Sequence, residues 1–132
     1  LYINRMIQFL KIIFHTSVLI LIIISLYPGS LLGFFIYGDL TKQPVLFNNP
    51  FETTINHFLA HLYVSFLGFF IYMKKSSFNR AFYGLLFLAS ALEVFQLVVP
   101  NRSFEFNDLV ANILGLFVAY LIIKIYLLFN KS

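Results

Sequence analysis

The chain has 132 residues, of which 61% are hydrophobic and 11% charged, with a formal charge of +4 and no cysteine. Water-soluble domains are about one quarter charged, so this composition excludes a soluble globule, and the missing thiols exclude disulfides and thiolate metal sites. A membrane protein of one domain over residues 1–132 is the expectation, because four spans of about 20 residues nearly exhaust the length.

Apolar runs of that length predict an all-α, four-transmembrane-helix bundle with spans near residues 8–27, 55–73, 80–99 and 108–128. The first run has the basic start of an export signal, but no small-residue cleavage motif follows and apolar character resumes in LLGFFIY. A retained helix is therefore expected. His15, alone in that span, reads as a bundle-facing or snorkelling residue. Pro28-Gly29 should end or bend the helix, after which LLGFFIYG lies along the interface or dips back into protein. TKQPVLFNNPFE is turn-rich and expected outside the membrane. MKKSSFNR reads as a short charged loop, and VPNRSFEFND as another, with Pro100 as a stop and Ser103, Asn107 or Asp108 as N-cap candidates for the last helix.

Charge placement orients the bundle. Arg5, Lys11, Lys74, Lys75, Arg80, Lys124 and Lys131 fall on the side shared by both termini, against Lys42 and Arg102 on the other. The positive-inside rule then puts the N- and C-termini in the cytoplasm. Tyrosines near span ends, such as Tyr27, Tyr72 and Tyr126, read as interface anchors.

Helical spacing decides which polar residues share a face. His57, His61, Ser65 and Gly68 form one stripe on the second span, Glu93 and Gln96 share a face of the third, and Asp108 lies one turn from Asn112 on the fourth. Ala111, Gly115 and Ala119 make a small-residue ridge that admits a close neighbour. All the polar positions lie toward one end of their helices. An ionised carboxylate at that depth costs about 2.5–3.5 kcal/mol on insertion scales, so Glu93 needs a partner or a proton. Arg102, His57, His61 and Asn112 are the candidates.

The combined pattern E-x-x-Q-x-x-x-P-x-R-S-x-x-x-x-D-x-x-x-N-x-x-G, running from Glu93 through Gln96, Pro100, Arg102, Ser103, Asp108 and Asn112 to Gly115, resembles the VanZ-like membrane proteins. That group is named for a factor in teicoplanin resistance. His57-Phe58 opening a span adds to the resemblance, which covers roughly residues 50 to 122. The family's Asp-Lys pair just before its histidine is replaced by Thr53 and Thr54, with Glu52 the nearest acid. The resemblance implies a multi-pass protein of a prokaryotic inner (cytoplasmic) membrane with a link to the cell envelope.

Two readings of the polar group stand side by side: a pocket, or a clasp that fixes the register of the helices. Five polar groups on two helices and their loop exceed what register needs, which favours the pocket. His57 and His61 at i, i+4 fit two metal ligands with Glu93 as a third, but the protease motif fails because Phe58 stands where glutamate is required. Histidines that hydrogen-bond within the bundle are the simpler reading, so neither metal nor cofactor is expected. Phosphate loops, serine triads, dinucleotide fingerprints and nucleic-acid patterns are absent from the sequence, so no nucleic-acid partner is expected either.

The expected function is an envelope factor whose outward-facing pocket binds or modifies an amphipathic or lipid-linked envelope molecule. Glu93 and Asp108 are the acid–base candidates. Arg102 is the residue for an anionic head group, with Gln96, Asn112, His57 and His61 completing the binding set. The alternative is a non-catalytic accessory subunit packed against a larger membrane complex. The whole-enzyme question stays open at this level.

Overall fold

The computed structural model describes residues 1–45 and 51–131. Five α-helices occur among them: α1 (Tyr2–Leu26), α2 (Leu31–Tyr37), α3 (Thr54–Ile71), α4 (Lys75–Phe95) and α5 (Phe106–Phe129). A single 3-10 turn, Gln96–Val98, extends α4. The described residues contain no strand. α1, α3, α4 with its 3-10 turn, and α5 are each long and apolar enough to cross a membrane. Part of the turn-rich segment expected outside the membrane, residues 46–50, lies outside the described residues.

Three expectations need correction. α4 begins at Lys75, not near 80, so most of MKKSSFNR is helix and only residues 72–74 bridge α3 to α4. Lysine, serine and arginine are tolerated in a helix when no glycine or proline interrupts them, and long cationic stems carry their charge to water from the first turns. The N-cap of α5 is Glu105, without a side-chain capping bond, not Ser103, Asn107 or Asp108. α1 also begins earlier than expected, at Tyr2.

The Pro28-Gly29 break ends α1. Ser30 then caps α2, its Oγ accepting from the Gly33 amide at 3.0 Å. Gly38, at φ +67°, closes α2 in the left-handed conformation that glycine adopts at little cost. Phe34, Phe35, Ile36 and Tyr37 of this short helix are all exposed.

α3 and α5 form the tightest pair, and they run parallel: His57 meets Asn112 near their starts, and Phe69 meets Tyr120 further along. Gly115 makes this approach possible, because a Cβ there would stand 2.5 Å from the Phe58 carbonyl oxygen and 2.8 Å from the Leu62 nitrogen. α4 runs antiparallel against α5. α1 lies on the outside and buries no residue fully, touching the core through Phe14, Val18 and Leu21.

The bundle has two levels. Toward the chain termini the core is apolar, with Phe69, Phe78, Leu116, Ala119 and Ile123 buried, Phe82 stacked on Phe69, and Tyr120 edge-on to Phe69 and tilted against Phe78. At the other end the buried residues include a polar set, His61, Ser65, Glu93, Gln96, Asp108 and Asn112, alongside Ala89, Leu92 and Ala111.

Candidate functional site

Helix direction sets the electrostatics of the polar end. α3 and α5 begin there, so their positive dipole ends face it, while α1 and α4 end there and expose carbonyl groups. Acids belong beside the first pair and cations beside the second. Asp108 lies in the first turn of α5, and Arg102 sits at the end of α1.

Arg102 follows Asn101, whose φ of +61° turns the chain back toward the bundle in a conformation asparagine tolerates better than most residues. Its Nε donates to the Tyr27 carbonyl at 3.1 Å and its Nη2 to the Ile24 carbonyl at 2.8 Å. Gln96 makes the parallel contact, Nε2 donating to the Ser25 carbonyl at 3.0 Å. Burial lowers the Arg102 guanidinium below its ordinary pKa while Glu93 and Asp108 draw it back up, and it stays a cation throughout. Gln96 and Arg102 are thus fasteners of α1.

The other polar residues converge on His57. Its Nδ1 lies 3.2 Å from Asn112 Oδ1 and 3.9 Å from Glu93 Oε2. Its Nε2 lies 3.4 Å from Asp108 Oδ2. Asn112 also donates from Nδ2 to the Ala89 carbonyl at 3.1 Å, joining α5 to α4. Glu93 is fully buried, and its Oε1 accepts from the Glu105 amide at 3.1 Å. Its Oε2 and the Oδ1 of Asp108 are buried with no hydrogen-bond partner.

Two cavities open beside this cluster. One, of about 270 Å³, is bounded by Thr53, His57, Arg102, Ser103, Glu105 and Asp108, with Gln43 and Gln96 also on its wall. The second, of about 140 Å³, adds the apolar Leu21, Ile24, Leu32 and Ala60. Gln43, His57, Gln96 and Arg102 line both.

All seven residues picked out by the sequence therefore lie at one end of the bundle, in two groups. His57, Glu93, Asp108 and Asn112 form the open cluster. Gln96 and Arg102 hold α1, and His61 is buried one turn below His57 on the wall of the second cavity. Missed at the sequence level were the Glu105 amide on Glu93 and the α1 carbonyls of Ile24, Ser25 and Tyr27. Backbone groups carry no residue signature; only the Pro28 break, which leaves the last carbonyls of α1 open, hinted at them.

A family model described as VanZ/LLP1 matches residues 9–129. No curated protein and no solved structure matches the chain.

Proposed function

The chain belongs to the VanZ/LLP1 family of membrane proteins, and from that premise we propose that its polar cavity binds the phosphate-bearing head group of a lipid-linked envelope molecule in a prokaryotic inner membrane. The observation that carries the reading is the sharing of walls: a polar cavity of about 270 Å³ has His57, Gln96 and Arg102 in common with an apolar-lined crevice beside α1. An amphipathic molecule presents the same division, with its head and the start of its chain side by side.

Arg102 lines both cavities while spending two of its five N–H groups on α1, which supports it as the anchor for the anion. Asp108 lines the polar cavity and Glu93 lies behind it. Acid–base chemistry on a bound head group would therefore run through Asp108, with Glu93 and Asn112 setting the position of His57.

The test is thermal stabilisation of the detergent-solubilised protein by a polyprenyl phosphate against the matching polyprenol. Only the phosphate should stabilise, and Ser103→Trp, which fills the polar cavity from an exposed position, should abolish the effect without unfolding the chain. Equal stabilisation by the alcohol, or an unaffected Ser103→Trp protein, would sink the reading. A second reading, the accessory subunit, draws on α1: it buries no residue fully and leaves an apolar groove of about 500 Å³ against α4, lined by Phe14, Val18, Gly84 and Leu88. A stable stoichiometric complex that survives Ser103→Trp would favour it.

A further inference from the structure

The geometry points to a divalent first-row metal site, suited to Zn²⁺ or Mn²⁺, formed by His57, Glu93 and Asp108. Each offers one ligand atom, and those atoms all lie within 4.8 Å of one another. They come from three helices, α3, α4 and α5, so the trio exists only in the folded bundle.

Hydrogen-bond directions make the case. Asn112 Nδ2 donates to the Ala89 carbonyl, which fixes its amide so that Oδ1 is the atom facing His57 Nδ1 at 3.2 Å. Oδ1 can only accept, so Nδ1 carries the proton. In neutral imidazole Nε2 then presents its lone pair to Asp108 Oδ2 at 3.4 Å. Two acceptors face each other with no proton between them, an arrangement that a cation resolves. A histidine held by a hydrogen bond on one nitrogen so that the other can bind metal is the usual outer-shell device in metal sites.

Glu93 supplies an independent observation. It is fully buried, and its Oε2, 3.9 Å from His57 Nδ1, lacks any hydrogen-bond partner, as does Asp108 Oδ1. A protonated carboxyl would need an acceptor at that oxygen, and a carboxylate there keeps that oxygen without a donor at membrane depth, with the Glu105 amide on its other oxygen and Arg102 acting through space. Arg102, the nearest fixed cation by sequence, is turned to the α1 carbonyls. Donors about 2.0–2.2 Å from a tetrahedral zinc stand roughly 3.4 Å apart, so an ion would draw the trio inward by on the order of 1 Å. One imidazole with two carboxylates suits Zn²⁺ or Mn²⁺, whereas Mg²⁺ prefers oxygen and water alone.

The inference does not depend on the head-group reading, because retention of the metal is measured with no lipid added. Protein purified in detergent, stripped with chelator and dialysed against low micromolar Zn²⁺ or Mn²⁺ should keep one ion per chain by elemental analysis, with excess Mg²⁺ failing to displace it. Glu93→Gln and Asp108→Asn should each weaken retention at least about tenfold, and His15→Gln, far from the site, should not. Pulsed electron paramagnetic resonance of the Mn²⁺-loaded wild type should detect a single histidine nitrogen coupled to the ion, a readout that needs no variant to fold. A wild type that keeps no ion, bound Mn²⁺ without nitrogen coupling, or unchanged retention in folded Asp108→Asn would overturn the site and leave a protonated His57 as the answer to the two carboxylates.

Discussion

Gly115→Ala is the sharpest test of how the polar end is assembled. The added Cβ would stand 2.5 Å from the Phe58 carbonyl oxygen and 2.8 Å from the Leu62 nitrogen. Ordinary close C···O contacts are about 3.3–3.6 Å, so α5 must move away from α3 by roughly 0.8 Å. Both clashing atoms are backbone, and no rotamer change relieves them. Overpacking of this kind costs about 1–3 kcal/mol, while replacing a mid-helix glycine by alanine returns about 0.5–1 kcal/mol of helix propensity. Gly84→Ala isolates the second effect, since a Cβ there meets nothing within 4 Å. The difference between the two variants is then the packing term, a difference in unfolding equilibrium of roughly 5- to 140-fold. Reversible unfolding in mixed micelles, followed by far-ultraviolet circular dichroism, measures it. Two variants with the same stability would refute the close α3–α5 approach, and with it the placement of His57 against Asp108 and Asn112.

Arg102→Ala should free the end of α1, removing charge-assisted hydrogen bonds worth about 1.5–3 kcal/mol each at most; spin-label distances between α1 and α4 should broaden, and Arg102→Lys should not restore them because an ammonium lacks the planar fork that reaches two carbonyls. At Asp39, bonds from the Thr41 hydroxyl and then the Thr41 amide hold the carboxyl below its ordinary value of 3.8. Its small contribution to the turn after α2 should be fully present above that value and fade as pH falls through the lower folded one; carboxyl chemical shifts across pH 2–5 read it, and Thr41→Val should move the midpoint upward.

The division of the polar residues explains why a pocket and a clasp were both tenable from sequence. The stretch from Glu93 to Asp108 supplies both, with Gln96 and Arg102 bonded to α1 while Glu93 and Asp108 turn toward His57. Spacing placed Glu93 and Gln96 on one helical face, yet the 3-10 turn that begins at Gln96 directs the glutamine to Ser25 and leaves the glutamate among α3 and α5. The i, i+4 pair of histidines invited a two-histidine metal site. The trio instead takes its second and third donors from other helices, and His61 is not among them.

Sequence alone determined that this chain is a bundle of apolar helices with its polar residues at one end, because composition and the 3.6-residue period act locally and survive any arrangement of neighbours. The family pattern was legible for the same reason: it is a linear string from Glu93 to Gly115. Only the tertiary structure decided that α3 and α5 run parallel in close contact, that Arg102 gives its hydrogen bonds to α1 and reaches Glu93 through charge alone, and that His57, Glu93 and Asp108 meet. Those facts depend on which helix lies beside which, and on backbone amides and carbonyls that every residue possesses and no sequence distinguishes.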